Sequence, residues 1–274
     1  MTIAMAWIGT HGDGREHLWM ASDSRTRGAF VLDSSPKLMP LSRSDSAICF
    51  AGDTAASYPL MMQLSTAIAA HQPARERSLD LGQLKDHLLR VCSDIVRRIA
   101  DAADPFQSDD AQFLLGGYSW RKRSFQLWTF RYESKAQKFS ARPARNFHQR
   151  LGTAAFIGDW ATRARHNVVK AISDPKQPDF DRLVYLQPFS VLASMLREAG
   201  PDDSIGGAPQ LLRVAAHMNT RPLCVKWGNG VTLFGRTLFE YENSDYWIMN
   251  PDNLKIERPR KYGNREVAAP EAQN

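Results

Sequence analysis

Five consecutive apolar residues, Ala47-Ile48-Cys49-Phe50-Ala51, constrain the fold of this chain more than any other feature. The run stops abruptly at Gly52-Asp53-Thr54. An apolar run of that length between turn residues suits a β-strand buried on both faces. Such a strand needs packed layers on each side of its sheet. Behind the break, Leu60, Met61, Leu64 and Ile68 recur at helical spacing, and Asp53 or Thr54 is placed to cap that helix. Gln72-Pro73 interrupts the pattern. A second helix then carries Leu81, Leu84, Leu88, Val91, Ile95 and Ile99 on one face and ends near Asp104-Pro105.

The elements on either side complete the pattern. Residues 2–8 and 18–21 read as two strands joined by a Gly-rich hairpin loop over 9–14. A short strand follows over 37–39. Beyond the helix pair come strands over 112–115, 125–130, 135–141 and 154–157. Gly158-Asp159 opens a helix over 160–172, a Pro- and Asp-rich loop spans 174–181, and a further helix covers 189–199. Strands over 210–216 and 223–227 and short hairpin-like pieces lead to Met249. Strands, two helices, strands, two helices, strands is not the alternation of a doubly wound fold. The order predicts an α+β protein with two mainly antiparallel sheets stacked face to face and helix pairs on both outer faces. No composition shift forces a boundary, so residues 1–249 are read as one domain. Residues 250–274, polar and carrying Pro251, Pro259 and Pro270, are read as a loosely held tail.

Composition excludes several classes. The chain has 274 residues, 43% of them hydrophobic, enough for one large core. No apolar run approaches the roughly 18 residues of a membrane span, and the first twenty residues lack a signal-peptide pattern. Cys49, Cys92 and Cys224 are far apart in apolar stretches, which suits buried thiols in a reducing compartment; the cytoplasm is the expected location. The seven histidines show no ligand spacing, so no metal is expected, and no cofactor motif appears. Net charge is +6. Residues 121–150 concentrate nine Lys and Arg against one acid, Glu133, interleaved with Phe125, Trp128, Phe130 and Tyr132. An anionic partner such as nucleic acid is one reading of that segment. The favoured one is aromatics facing the core and cations covering exposed strands, a device against edge pairing.

Four short pieces carry chemistry: Met1-Thr2, Ala21-Ser22-Asp23-Ser24-Arg25, Pro36-Lys37-Leu38 and Phe50-Ala51-Gly52-Asp53-Thr54-Ala55. In order and approximate spacing they resemble the proteasome β-type subunits and their bacterial relatives, the HslV-type protease subunit and the Anbu proteins. The match covers residues 2 to about 70, with a longer first hairpin, and weaker motifs follow it. Ile157-Gly158-Asp159-Trp160 lies where the family has an I-G-S-G-like motif, so Asp159 replaces a Ser. Asp202-Asp203-Ser204-Ile205-Gly206-Gly207 lies where it has D-x-x-S-G-G, so Ile205 replaces a Ser; Asp202 takes the acid position, or Asp203 after a one-residue shift.

The resemblance implies a four-layer αββα sandwich of the Ntn-hydrolase type, with Thr2 as an N-terminal nucleophile once Met1 is removed. The chemistry is coherent. A threonine hydroxyl needs a base, and the residue's own α-amine, with an unperturbed pKa of about 7.7–8.0, is covalently placed to be one. Lys37 would favour the neutral amine, Asp23 would hold Lys37, and the Gly52 N–H would face the oxyanion. Asp159 and Asp202 would support the amine, and Phe50 would line the pocket for the side chain preceding the cut. The implied protein is a peptidase cleaving peptide or protein substrates inside a homo-oligomeric ring, with an unfoldase partner for folded substrates. Alternatives are a catalytically silent scaffold or sensor subunit, a small-amide amidohydrolase, and a nucleic-acid-associated protein built on the basic segment.

Overall fold

A computed structural model describes residues 2–11, 14–99, 106–173, 183–242 and 244–259. The chain opens with the expected hairpin, β1 (Ala4–Thr10) and β2 (Glu16–Ser22). A small ribbon, β3 (Thr26–Arg27) and β4 (Val31–Leu32), precedes β5 (Leu38–Pro40) and β6 (Ser46–Gly52). Three helices follow: α1 (Thr54–Ala70), the one-turn α2 (Gln72–Arg75) at the Gln72-Pro73 break, and α3 (Leu81–Val96). Strands β7 (Ala111–Ser119), β8 (Ser124–Glu133), β9 (Lys138–Pro143), β10 (Arg145–His148) and β11 (Gly152–Ile157) lead to α4 (Ala161–Ser173). After α5 (Gln187–Glu198) come β12 (Gln210–Ala215), β13 (Asn219–Trp227), β14 (Gly230–Leu233), β15 (Arg236–Thr237), β16 (Ile248–Met249) and β17 (Ile256–Glu257).

The result is an α+β protein with two large, mainly antiparallel sheets and five α-helices among the described residues. One sheet has ten strands along the path β10-β11-β1-β2-β12-β13-β14-β15, with β16 and β17 joined beside β13. The other runs β5-β6-β7-β8-β9. The buried side chains explain the pairing. Ala47, Cys49 and Ala51 of β6 join Ala4, Ala6, Leu18, Met20, Ala155 and Leu212 in a cluster shared by both sheets. On the other side of β6, Ile48 and Phe50 pack with Leu60, Leu64, Leu84 and Leu88 of α1 and α3. Trp7, Trp19 and Phe156 pack with Val168, Phe189 and Leu192 of α4 and α5. The run 47–51 is therefore buried on both faces.

Local chemistry sets the helix starts. The Asp53 carboxylate accepts the Ala55 N–H at 2.7 Å and caps α1. At α3, Gln83 Oε1 accepts the Asp80 N–H at 3.1 Å in a capping box. In β8, Phe125, Trp128, Phe130 and Tyr132 are buried while Arg131 is exposed, and the exposed Lys138 and Arg142 lie on β9, an edge strand. All three cysteines are buried and unpaired. Among the described residues, no helix is long and apolar enough to cross a membrane.

One boundary needs correction. The tail expected from residue 250 is packed as far as 259: Pro251 and Leu254 are buried, and β17 pairs with β16. The apolar Leu254, flanked by polar neighbours, reaches the α4–α5 cluster. Residues 260–274, Met1, part of the first hairpin loop, the end expected at Asp104-Pro105 and the 174–181 loop lie outside the described residues. Leu212 sits fully buried between the sheets. Leu212→Ala is expected to lower the free energy of unfolding by about 2–5 kcal/mol, measured by urea titration.

Candidate active site

Sheet register brings distant residues together. β1 lies between β11 and β2, with Ala4 opposite both Ile157 and Ser22. The next residues outward on the three strands are Thr2-Ile3, Gly158-Asp159 and Asp23, so they share one end of the ten-stranded sheet. Gln210, the first residue of β12, pairs with Ser22 at the same end. In the other sheet, Lys37 immediately precedes β5, and its carbonyl accepts the Phe50 N–H at 3.2 Å. The two sheets thus converge on one polar cluster.

Asp23 is its centre. The carboxylate is fully buried. Its Oδ1 accepts from Thr2 Oγ1, from Lys37 Nζ at 2.8 Å and from the Ile3 N–H at 3.2 Å. Its Oδ2 accepts the N–H groups of Arg25 at 3.1 Å and Gly206 at 3.3 Å. Lys37 Nζ also donates to Thr2 Oγ1. Thr2 and Lys37 are each 1% exposed. Burial pushes the Lys37 ammonium below the ordinary lysine value, against the opposing charge and hydrogen bond of Asp23 and the more distant charge of Asp159. Among the residues named from the sequence, Thr2, Asp23 and Lys37 are therefore in direct contact.

Gly158 explains how tightly the strands close. Its φ is +95°, and a Cβ there would overlap the Thr2 carbonyl oxygen. Gly52 ends β6 with a φ of +128°, next to the Asp53 cap of α1. Both positions need the left-handed freedom of glycine. Asp159 is exposed, and Ser204 Oγ donates to its Oδ2 at 3.1 Å while accepting from Trp160 Nε1 at 2.9 Å.

Two expectations are corrected. Asp202 is exposed on the turn after α5, and its carboxylate makes no hydrogen bond or ion pair with a described residue. The shifted alternative, Asp203, accepts the Gly200 N–H at 2.7 Å within that turn. Neither side chain is hydrogen-bonded to the cluster, and the turn backbone is tied instead to Arg25. Its guanidinium pairs with both oxygens of Asp33 and donates to the carbonyls of Gly200, Pro201 and Asp203. Phe50 is 1% exposed and turned toward α1, in edge contact with Tyr58 at 5.0 Å. It presents no surface to a pocket, because strand alternation gives the inter-sheet side to Cys49 and Ala51.

Two participants were not singled out in the sequence. Gln210 is fully buried and makes four hydrogen bonds. Its Oε1 accepts the N–H groups of Lys37 at 2.9 Å and Leu38 at 3.3 Å; its Nε2 donates to the carbonyls of Asp23 at 3.0 Å and Ser35 at 2.8 Å. It thereby fixes the backbones of both partners in the ion pair. Ser204 is the second, through Asp159. The flanking glycines Gly206-Gly207 were the only signal near it.

Among the described residues, no group of three or more His, Cys, Asp or Glu side chains is placed to hold a metal ion. No protein-family model matches the sequence, and no curated protein matches it.

Two consequences are measurable. Gln210→Leu strips the buried N–H groups of Lys37 and Leu38 and the Ser35 carbonyl of their Gln210 partner, leaves the Asp23 carbonyl with Ser22 Oγ alone, and is expected to cost about 3 kcal/mol or more of stability, read from urea unfolding. The second concerns pH. The folded value of Lys37 lies below its unfolded value of 10.5. Between the two, the unfolded chain holds a proton that the folded chain has released, so stability rises with pH across that window. Lys37→Met removes the rise. The thiols of Cys49, pushed up to about 12, and Cys92, also raised by burial, act in the opposite sense and cancel between the two proteins. The stability of wild type relative to Lys37→Met should climb toward pH 10.5; a flat difference contradicts this.

Proposed function

We propose that this chain is an N-terminal threonine hydrolase, a proteasome-like peptidase subunit with the αββα architecture of Ntn hydrolases, in which cleavage of the Met1–Thr2 bond frees the nucleophile. The observation that carries the reading is the meeting of Thr2 Oγ1, Lys37 Nζ and Asp23 Oδ1 in one buried cluster. The three buried clusters, two between a sheet and its helices and one between the sheets, support the layered architecture.

In this reading the freed amine takes the hydroxyl proton as Oγ1 attacks the substrate carbonyl carbon. The tetrahedral oxyanion is stabilised by the Gly52 N–H. Its collapse returns the proton to the departing amine and leaves an ester on Thr2, which water hydrolyses with the Thr2 amine again acting as base. An ammonium at Lys37, held beside the hydroxyl by Asp23, favours the neutral amine. Asp159, steadied by Ser204, is the acceptor available to an ammonium at Thr2. The low exposure of Thr2 before cleavage means that cleavage must also open the site. An assembly enclosing this site belongs to the same proposal. Its support is α1, which has no charged residue along its length and leaves Ala55, Pro59 and Met62 exposed, Met62 by 56%.

Hydrolysis of a fluorogenic peptide panel by the cleaved chain tests the reading. Thr2→Ala is expected to lower turnover about a thousandfold or more, and Thr2→Ser to retain much of it. Activity that survives Thr2→Ala would remove Thr2 from the mechanism. A cleaved wild-type chain without activity on peptides or small amides would favour the scaffold or sensor reading.

A further inference from the structure

A second site lies on the ten-stranded sheet, away from the Thr2 cluster. Arg213 of β12 and Arg221 of β13 are direct cross-strand partners, and Trp19 of β2 is the partner of Arg213 on its other side. Like charges facing each other across an antiparallel pair are destabilising, so the pair needs a counter-charge. None is paired with it among the described residues. Neither arginine side chain makes a hydrogen bond or ion pair with any described residue. The Arg213 guanidinium lies 5.8 Å from the Trp19 ring centre and 5.7 Å from that of Trp247. Arg258 also lies 5.7 Å from the Trp247 ring. Aromatic rings attract a guanidinium but accept none of its in-plane N–H bonds. Burial and the neighbouring charges of Arg221 and Arg15 hold Arg213 below the usual arginine range, with Tyr185 opposing. The buried indole Nε1 of Trp19 has no acceptor either. The N–H donors of the two guanidinium groups and of Trp19 thus lack acceptors among the described residues.

These arginines border a cavity of about 360 Å³ walled also by Asn219, Asp245, Tyr246 and Trp247. Trp247 is held in place because its carbonyl accepts the Cys224 N–H at 2.9 Å, where β16 runs parallel to β13. The volume is in the range of small-molecule sites, and an aromatic wall with a few convergent polar groups is their usual lining. Asp245 forms no ion pair with either arginine among the described contacts, and its carboxylate repels a ligand the more strongly the more negative charge that ligand carries.

We propose that this cavity binds a small organic carboxylate, whose single anionic group takes the N–H groups of Arg213 and Arg221 while its flat apolar body lies against Trp247 and Tyr246. Guanidinium and carboxylate match in a planar, two-bond geometry. A monoanion meets less repulsion from Asp245 than a phosphate dianion does.

The test titrates the full chain with benzoate, benzamide and inorganic phosphate, following the indole N–H resonances of Trp19 and Trp247 by NMR. Benzoate is expected to shift the Trp247 signal saturably below about 10 mM. Arg213→Gln and Arg221→Gln should each weaken that binding about tenfold, and benzamide should bind at least that much more weakly. Arg221 is exposed, so its variant keeps the test valid if Arg213→Gln does not fold. No saturable benzoate shift, equal binding of benzamide, or indifference to Arg221→Gln overturns the site. Phosphate binding more tightly than benzoate overturns the carboxylate assignment.

Discussion

Lys37 and Asp23 form an ion pair almost wholly removed from solvent, and one end of both sheets is built around it. Withdrawing two charges from water costs several kcal/mol per ion, which attraction alone offsets only with good geometry and further hydrogen bonds. Asp23 meets that condition with five donors from Thr2, Ile3, Arg25, Lys37 and Gly206. The pair also joins the two layers, because Asp23 follows the last residue of β2 and Lys37 precedes the first of β5. Gln210 binds the backbone of each partner from a third strand. Removing either charge would leave the other buried and unpaired, so fold stability and the candidate chemistry rest on the same contact.

That contact also sets the electrostatics of Thr2. Burial favours a neutral Lys37, while Asp23 and the more distant Asp159 favour the ammonium. The balance lies on the side of burial, so the lysine beside the hydroxyl gives up its proton more readily than a solvated one. Asp159 sits at the exposed rim rather than in the cluster, tied to Ser204 and through it to Trp160. A carboxylate at that rim adds negative potential where a freed amine would emerge, which steadies an ammonium there and opposes the use of the amine as a base.

The parts legible in the sequence were those with a local signature. The apolar run 47–51, the Asp53 cap and the periodic face of α3 each declare themselves within one or two turns of chain. Thr2, Asp23 and Lys37 were legible because their motifs bracket the first strands. Gln210 was not, since a glutamine at a strand start looks like any polar boundary residue. Its partners lie more than 170 positions away. Phe50 was misplaced by following a family pocket, although period-two alternation alone puts it beside Ile48 and opposite Cys49 and Ala51. Asp202 failed for a different reason. Arg25 binds three carbonyls of the turn that carries it, long-range contacts absent from the spacing of Asp202-Asp203.

The central claim is that a freed Thr2 hydroxyl is the reactive atom at the Lys37–Asp23 pair. The most direct measurement is tandem mass spectrometry of the cleaved chain after exposure to a β-lactone probe. The account predicts one ester adduct on Thr2 in wild type, and none in Thr2→Ala or in chain that still carries Met1. An adduct mapped to another residue, or labelling of the uncleaved chain at the same rate, would contradict it.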